Sequence, residues 1–259
     1  MGMEKLSTNE GSSIKNIVAV MSGKGGVGKS FVSSLLASTL KGKGYRVGVL
    51  DTDITGPSIP KMFGVENEKP MADKDENILP VSSENGIKVM SINVLTEKKD
   101  DPVIWRGPLI ANTVSQFYTD VAWGELDYLI LDLPPGTGDV PLTVMQQIDL
   151  SGIVIVTSPQ DVVDLIVKKS YRMAEMLSVP VLGIVENMSY LECPDCGKKI
   201  QVFGESKVDE NNYEVGLDLT AKLPLKHDFA TYADEGKMDS LRGPLQTFSE
   251  ELVSKLQNK

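Results

Sequence analysis

Short runs of apolar residues recur along the chain and are separated by stretches in which apolar positions return every three or four residues. The runs are apolar on both faces, which is typical of strands in a parallel sheet that helices cover on both sides. They predict strands at residues 15–21, 47–50, 87–92, 128–131, 153–156 and 181–185, with a further candidate at 217–223.

The stretches between the runs have the period of amphipathic helices. They predict helices around residues 30–40, 109–122, 140–148, 162–177 and 245–256. Because strands and helices alternate, the pattern predicts a doubly wound α/β fold with a mostly parallel sheet. In such folds ligands bind beyond the carboxyl ends of the strands.

Two segments interrupt the alternation. Residues 66–86 are polar, charged and contain proline, so we expect a long excursion there, while residues 189–204 hold both cysteines of the chain. A length of 259 residues fits one large α/β domain better than two small ones. We therefore expect a flexible N-terminal segment at residues 1–14 and a single domain at 15–259, with a cysteine-bearing insert at 189–204.

The charge balance bears on the class of partner. Lys and Arg number 26 against 36 Asp and Glu, which gives a net charge of -10. Nonspecific attraction to a nucleic-acid backbone is therefore unfavourable, and we expect no nucleic-acid partner. The single histidine, His227, excludes a histidine-rich metal site, and we expect it at the surface.

No apolar run approaches the length of a membrane-spanning helix, and the N-terminus lacks the apolar centre of a secretion signal. Leu6 stands where an N-myristoylation motif needs serine or threonine. We expect a cytoplasmic protein without a membrane partner.

A glycine-rich segment carries the first chemical signal. Residues 23–30 read Gly-Lys-Gly-Gly-Val-Gly-Lys-Ser and satisfy the phosphate-loop pattern G-x-x-x-x-G-K-[ST], between a predicted strand and a predicted helix. Glycines let successive N–H groups turn inward around phosphate oxygens, and the positive end of the following helix adds to the attraction. The residues expected to contact a nucleotide are Gly23, Gly25, Gly26, Val27, Gly28, Lys29 and Ser30.

Two of these residues have side-chain roles. Lys29 is expected to reach the terminal phosphates, and Ser30 is expected to coordinate magnesium. Lys24 adds a second lysine directly after the first glycine. From its position alone, Lys24 is better explained as a solvated charge at a loop tip than as a catalytic group.

Three aspartates follow predicted strands. Asp51 and Asp53 come after one strand and Asp132 after another, so all three should lie at the same edge of the sheet as the phosphate loop. Capping of a turn explains any one of them but not three at successive strand ends. Asp51 and Asp132 suit a magnesium shell, and Asp53 suits the positioning of an attacking water.

The segment after Asp132 reads Leu-Pro-Pro-Gly-Thr-Gly-Asp and suits a switch loop. In such a loop the Gly136 N–H bonds the terminal phosphate and is released on hydrolysis. A rigid proline-glycine turn is the alternative interpretation.

Cys193 and Cys196 lie one tight turn apart, so both thiols can point at one metal. Iron-sulfur clusters and structural zinc are usually held by four ligands, and the chain has no other cysteine. A site shared by two subunits is the economical solution. Structural zinc and a redox disulfide are the alternatives to a cluster.

Together these motifs resemble the Mrp-type iron-sulfur carrier ATPases, phosphate-loop NTPases with a deviant Walker A motif whose group includes MinD, ParA and the nitrogenase iron protein. The resemblance extends from about residue 15 to residue 228. It rests on residues 24–30, 51–58, 105–108, 132–139, 186–189 and 193–197.

This resemblance implies specific roles. ATP with magnesium would be bound and hydrolysed, Lys24 would cross a homodimer interface to the partner's nucleotide, and Asn187 would contact the adenine base. Cys193 and Cys196 would hold an iron-sulfur cluster, of the 4Fe-4S type, between two subunits. The cluster would be passed to apo iron-sulfur proteins.

The second hypothesis is a positioning switch like MinD or ParA, whose output is attachment to a membrane or to DNA. The feature that would support this hypothesis is an apolar stripe near the C-terminus. The opposite helix face lacks the basic bias that favours an anionic membrane, so we expect the stripe to pack against the domain. The stripe consists of Leu245, Phe248, Leu252 and Leu256.

Overall fold

The structure is a computed structural model, and it describes residues 5–53, 58–91, 107–159, 163–206, 208 and 216–258. Side chains of the helices that begin at residues 107 and 163 are described from residues 112 and 167 onwards. Ile92, Val162, residues 54–57 and residues 105–106, which belong to predicted elements or motifs, lie outside the described residues.

The strands and helices alternate over most of the chain. The strands are β1 (Ser12–Met21), β2 (Val47–Asp51), β3 (Met71–Ala72), β4 (Ile78–Leu79), β5 (Val81–Ser82), β6 (Lys88–Ser91), β7 (Gly124–Asp132), β8 (Gly152–Thr157), β9 (Val181–Glu192), β10 (Lys199–Ile200) and β11 (Thr220–Pro224). The helices are α1 (Lys29–Gly42), α2 (Ile59–Met62), α3 (Gly107–Thr119), α4 (Asp139–Gln147), α5 (Val163–Met176), α6 (His227–Asp234) and α7 (Gln246–Gln257).

One large sheet organises the domain. Its strand order is β10-β9-β8-β1-β7-β2-β6-β5, and β11 also pairs with β9. The central pairs, from β9 through β8, β1, β7 and β2 to β6, are parallel, and the end pairs β5–β6 and β9–β10 are antiparallel. The predicted doubly wound, mostly parallel fold is confirmed.

Helices cover both faces of the sheet, as the doubly apolar strands require. Along β1, Val18 and Val20 point into one buried cluster with α1 and α7. Ile17, Ala19 and Met21 point into the other, with α3 and α4. The split follows from the alternation of side chains along a strand, and it explains why these strands are apolar on both faces.

The C-terminal stripe packs into the first of these clusters. Leu245, Phe248, Leu252 and Leu256 are all less than 10 % exposed, at 1, 3, 0 and 8 %. The prediction that the stripe packs against the domain is confirmed. No helix in the described part of the chain is long and apolar enough to cross a membrane.

Several boundaries differ from the sequence pattern. Strand β1 begins at Ser12 rather than residue 15, because Ser12, Ser13 and Ile14 pair with β7 in register. Strand β11 starts at Thr220, later than residue 217. Residues 66–86 contain the short strands β3, β4 and β5.

The insert at residues 189–204 also differs from an isolated loop. Strand β9 runs on through Ser189 to Glu192, and β10 returns antiparallel to it, with Ile200 paired to Leu191. The two cysteines therefore lie in the turn of a β-hairpin that extends from the sheet. Helices α2 and α6 are too short for the periodic pattern to predict, and His227 is exposed at the start of α6, as expected.

Candidate functional site

The phosphate-loop pattern lies in the turn between β1 and α1, at the carboxyl edge of the central strand. Gly26 and Gly28 have φ angles of 82° and 81°, in the left-handed region that favours glycine. A Cβ atom on Gly28 would lie 2.1 Å from the Asn187 Nδ2 atom, so no larger residue fits without displacing that side chain. The loop, Asp53 and Pro135 line a cavity of about 240 Å³.

Asp132, the last residue of β7, is the hub of the site and is fully buried. The Lys29 Nζ atom lies 2.8 Å from Asp132 Oδ2, and the Ser30 hydroxyl donates to the same oxygen at 2.6 Å. The Ser33 hydroxyl donates to the other oxygen, Oδ1, at 2.6 Å. One cation and two hydroxyls from the first two turns of α1 therefore surround this carboxylate.

Asp51 lies beside Asp132, since the two are register partners at the ends of β2 and β7. Its carboxylate accepts the Asp53 N–H at 3.0 Å and the Ser91 hydroxyl at 3.3 Å. Burial raises the pKa of Asp51 well above its usual value, and the neighbouring Asp132 charge raises it further, while the Asp53 N–H and Lys29 act in the opposite direction. Burial therefore favours the protonated form of Asp51.

Asp53 differs from Asp51 in its surroundings. Its side chain lies on the cavity wall and is 13 % exposed, and its Oδ2 atom is 3.9 Å from Lys29 Nζ. Asp53 thus lines the cavity, whereas Asp51 is buried and does not.

The predicted switch loop is tied to the phosphate loop. The Gly136 N–H donates to the Ser22 carbonyl at 2.8 Å, and Gly136 has a φ of 90°. The Pro135 side chain is in van der Waals range of Gly25, 3.8 Å from the position of a Cβ there. For the Gly136 N–H to reach a phosphate, its bond to Ser22 has to break.

Strand β9 bends where it passes the phosphate loop. The Asn187 side-chain amide is buried and donates to the Val27 carbonyl at 3.0 Å. The next residue, Met188, has a φ of 55°, and the register with β11 shifts across Lys222 and Pro224 at this point. The bulge turns the Asn187 amide towards the loop.

Lys24 is exposed at the tip of the phosphate loop. The Ser22 hydroxyl donates to the Lys24 carbonyl at 3.0 Å and so holds the backbone on which the side chain stands. Its contact with a second subunit stays a prediction.

The cysteines occupy a tight turn at the tip of the hairpin formed by residues 189–204, called here the cysteine hairpin. The Cys193 N–H donates to the Lys198 carbonyl at 3.0 Å, and the Gly197 N–H donates to the Cys193 carbonyl at 2.9 Å. Both thiols are free, with Cys193 half-buried and Cys196 exposed. Backbone N–H groups of Asp195 and then Cys196 lower the pKa of the Cys193 thiol, which favours the thiolate that binds metals.

The cysteine hairpin contains two thiols and no histidine or further cysteine. Among the described residues, no three His, Cys, Asp or Glu side chains come together as a metal site. This arrangement provides half of a four-ligand site.

The donor set beside the phosphate loop fits magnesium and a nucleotide. Magnesium binds oxygen ligands, and the Ser30 hydroxyl and Asp132 Oδ2 are 2.6 Å apart, close enough to share one ion's coordination shell. The open side of the loop fits a phosphate, since a Cβ atom built on Gly26 meets no atom within 4 Å.

Two hydroxyl residues of the site were given no role by the sequence motifs. Ser33 contacts Asp132 as described, and Thr52 donates both its N–H, at 3.0 Å, and its hydroxyl, at 2.8 Å, to the Asp132 carbonyl. Ser33 follows Ser30 by three residues and so shares its helix face, which is the signal that could have identified it.

Solved structures of low sequence identity share this fold. MinD from Aquifex aeolicus is 17 % identical, with a TM-score of 0.62 over 94 % of this chain and 97 % of that one. A ParA family ATPase from Chlorobium tepidum is 15 % identical, with a TM-score of 0.54 over 94 % and 98 %. The fold is thus that of the MinD/ParA type.

Comparison with protein families is more specific. Residues 13–258 match the ParA family model described as NUBPL iron-transfer P-loop NTPase, and the chain belongs to this family. The resemblance to iron-sulfur carrier ATPases is confirmed, and membership of a P-loop NTPase family implies nucleotide hydrolysis in general.

Curated relatives of this chain are named as iron-sulfur cluster carriers. The "Iron-sulfur cluster carrier protein" of Clostridium perfringens is 50 % identical over 243 residues, covering 91 % of this chain and 84 % of the relative. Its namesake in Methanocaldococcus jannaschii is 49 % identical, covering 87 % and 78 %. A nucleotide-binding protein from Archaeoglobus fulgidus, solved with ADP, is 44 % identical, with a TM-score of 0.80 over 89 % and 90 % of the chains.

Proposed function

We propose that this protein is a homodimeric ATPase that carries an iron-sulfur cluster between two copies of its cysteine hairpin and transfers it to apo iron-sulfur proteins. The observation that carries the proposal is the turn at Cys193 and Cys196, where two free thiols stand at the tip of a hairpin with backbone donors that favour a thiolate. A pair of thiols needs a second pair to hold a cluster, and a second copy of the chain supplies it.

The nucleotide site gives each phosphate-loop residue a role. Gly23, Gly25, Gly26, Val27 and Gly28 wrap their N–H groups around the phosphates, and Lys29 turns from Asp132 towards the terminal phosphates. Bound magnesium would neutralise charge that develops on the transferred phosphoryl group. The residues proposed to hold that ion are Ser30, Asp51 and Asp132.

Hydrolysis requires an activated water and a stabilised phosphoryl group. Asp53, on the cavity wall, orients the water, and Lys24 reaches across the dimer to the partner's nucleotide. Gly136 exchanges its bond to Ser22 for one to the terminal phosphate, and Asn187 exchanges Val27 for the adenine base.

Strand β9 supports a coupling between the two sites. The Asn187 amide contacts the phosphate loop through the Val27 carbonyl, and the same strand continues to Glu192, directly before Cys193. A change of contact at Asn187 is therefore transmitted along a single strand to the cysteine hairpin. Subunit docking would change at both sites together.

Reconstitution with iron and sulfide under anaerobic conditions tests the cargo. Wild type should gain visible absorbance and bound iron, and Cys193→Ala should lose both. Asp195→Ala is the matched control, because it lies in the same turn and leaves both thiols in place. Equal iron and absorbance in Cys193→Ala and wild type would reject the cluster assignment, and zinc in metal analysis of anaerobically purified protein would favour the structural-zinc alternative.

Steady-state hydrolysis tests the role of Lys24. Lys24→Ala should cut the ATPase rate of the dimer while much of the nucleotide affinity remains. Lys74→Ala removes an exposed lysine from the segment of residues 66–86 and should leave the rate unchanged. Normal hydrolysis by Lys24→Ala would contradict a lysine that crosses the interface.

The positioning switch is the weaker candidate. The apolar stripe that favoured it is buried in the core, with Leu252 fully inaccessible. Liposome sedimentation with ATP separates the two functions, since binding would favour the switch.

A further inference from the structure

Ser33 is a buried hydroxyl at the candidate site that none of the motifs includes. It lies in the second turn of α1, three residues after Ser30, and is fully inaccessible. A serine inside a helix ordinarily bonds the carbonyl four residues before it. Here that carbonyl, of Lys29, is 3.1 Å away, and Asp132 Oδ1 is closer, at 2.6 Å.

A hydroxyl has one proton, so it can donate only one of these bonds at full strength. The shorter contact is to a carboxylate, and hydrogen bonds to charged acceptors are both shorter and stronger than bonds to neutral ones. The Ser33 proton therefore goes to Asp132. Water cannot take the place of the Ser33 hydroxyl, because Ser33 and Asp132 are both fully buried.

The two oxygens of Asp132 have different partners. Oδ2 faces Lys29 and Ser30, which belong to the nucleotide site, whereas Oδ1 faces Ser33, which does not line the cavity. A carboxylate that is anchored at one oxygen cannot rotate freely about the Cβ–Cγ bond of the aspartate. The direction of the second oxygen is then fixed towards the phosphate loop.

This anchoring matters most when a nucleotide is bound, and the argument rests on the proposed function. Lys29 would then turn to the phosphates and Ser30 to magnesium. Among the side chains described around Asp132, Ser33 would be the donor that remains on its carboxylate.

We propose that Ser33 is a positioning residue that holds Asp132 in the orientation needed for magnesium binding. Its hydroxyl contacts neither the ion nor the nucleotide and acts through the carboxylate. Groups that orient a metal ligand in this way typically change metal affinity by about 10- to 100-fold when they are removed.

Calorimetry of ADP binding with and without magnesium tests the proposal, because it requires no turnover and no cluster. For wild type, magnesium should tighten ADP binding. In Ser33→Ala the magnesium concentration needed for half of that tightening should rise about tenfold. ADP affinity without magnesium should be unchanged, since the phosphate loop itself is intact.

Ser34→Ala is the matched control. Ser34 is the next residue of α1, equally buried, and its hydroxyl contacts the Met62 sulfur at 3.4 Å rather than a carboxylate. It should keep the magnesium dependence of wild type. Ser33→Thr retains a hydroxyl on the same carbon and should bind magnesium more tightly than Ser33→Ala.

Several outcomes would overturn the role of Ser33. They are an unchanged magnesium dependence in Ser33→Ala, an equal loss in Ser34→Ala, and an equal loss of ADP affinity without magnesium. Failure of the proposed function looks different, because wild type itself would then bind no ADP or show no response to magnesium. Thermal denaturation of each variant, followed by circular dichroism, checks that all are folded.

Discussion

The phosphate loop and the cysteine hairpin stand at opposite extremes of completeness. Around the loop, buried groups already satisfy one another, with Asp132 bound by three side-chain donors and Asn187 holding the loop carbonyl. At the hairpin, two free thiols lie half-buried and exposed, with no third ligand in the described structure nearby. The nucleotide site is pre-formed within one chain, whereas the thiols leave room for the second subunit that the proposed cluster site requires.

The largest expected effect comes from removing the cation of the buried site. Lys29→Met leaves Asp132 without its ion-pair partner in a place that water does not reach, where the lysine is 6 % and the aspartate 0 % exposed. The free energy of unfolding should fall by about 4 kcal/mol, the scale found when a buried pair loses one member. Urea denaturation of the protein without nucleotide measures it.

Lys61→Met is the control for this effect, because Lys61 pairs with Asp234 at the surface, where the side chains are 56 and 73 % exposed. Exposed pairs contribute little, so its stability should barely change. Equal losses in the two variants would mean that the phosphate-loop site is no more pre-formed than the surface.

Two glycines with similar backbone conformations, one in each region, differ in how closely other atoms surround them. Gly28 and Gly197 have φ angles of 81° and 70°, but a Cβ on Gly28 would meet Asn187 at 2.1 Å, and one on Gly197 meets nothing within 4 Å. Gly197→Ala should cost about 1 kcal/mol of unfolding free energy from its backbone conformation alone. Gly28→Ala should cost about 3 kcal/mol, because overpacking is added.

Urea denaturation of both glycine variants makes this comparison. Similar losses for the two would show that Asn187 moves aside at no cost and that its contact with the loop is not a fixed part of the site.

A smaller effect of opposite sign is expected at Asp51. Its pKa is raised in the folded protein, so the folded state binds its proton more tightly than the unfolded state. The stability contributed by this group is present at low pH and is lost as the pH rises from the unfolded value of about 3.9 through the raised pKa. Asp51→Asn should therefore be more stable than wild type at pH 8, by roughly 1 kcal/mol.

Urea denaturation at pH 5 and pH 8 checks the sign, and the gain should be smaller at pH 5. Asp127→Asn is the opposite control, since hydrogen bonds from Arg46 lower the pKa of Asp127 and its loss should destabilise the protein at pH 8. A gain for Asp51→Asn that does not depend on pH would contradict the account of this carboxylate.

The pattern of apolar residues predicted most of the sheet and the edge at which the phosphate loop lies. Buried parallel strands leave a strong local signal, and the phosphate-loop motif joins one of them to a helix, so β1, β2, β7, β8 and α1 could be placed by inspection. The aspartates followed, because parallel strands end at a common edge.

The features that escaped prediction depend on contacts between distant parts of the chain. Ser33 meets Asp132 across 99 residues, and its spacing from Ser30 marks a shared helix face but not the partner that it contacts. Strand β9 continues into the cysteine hairpin through a bulge at Met188, where local polarity resembles the end of a strand. A second subunit leaves no periodic signal in the sequence of one chain. The proposal of a dimer therefore rests on the number of metal ligands that one chain supplies.

Determination of mass together with iron content tests the shared site most directly. After anaerobic reconstitution, sedimentation should give a species of twice the chain mass with one cluster per two chains, and Cys193→Ala should give single chains without iron. A cluster that stays bound to a species of one chain's mass would contradict the account.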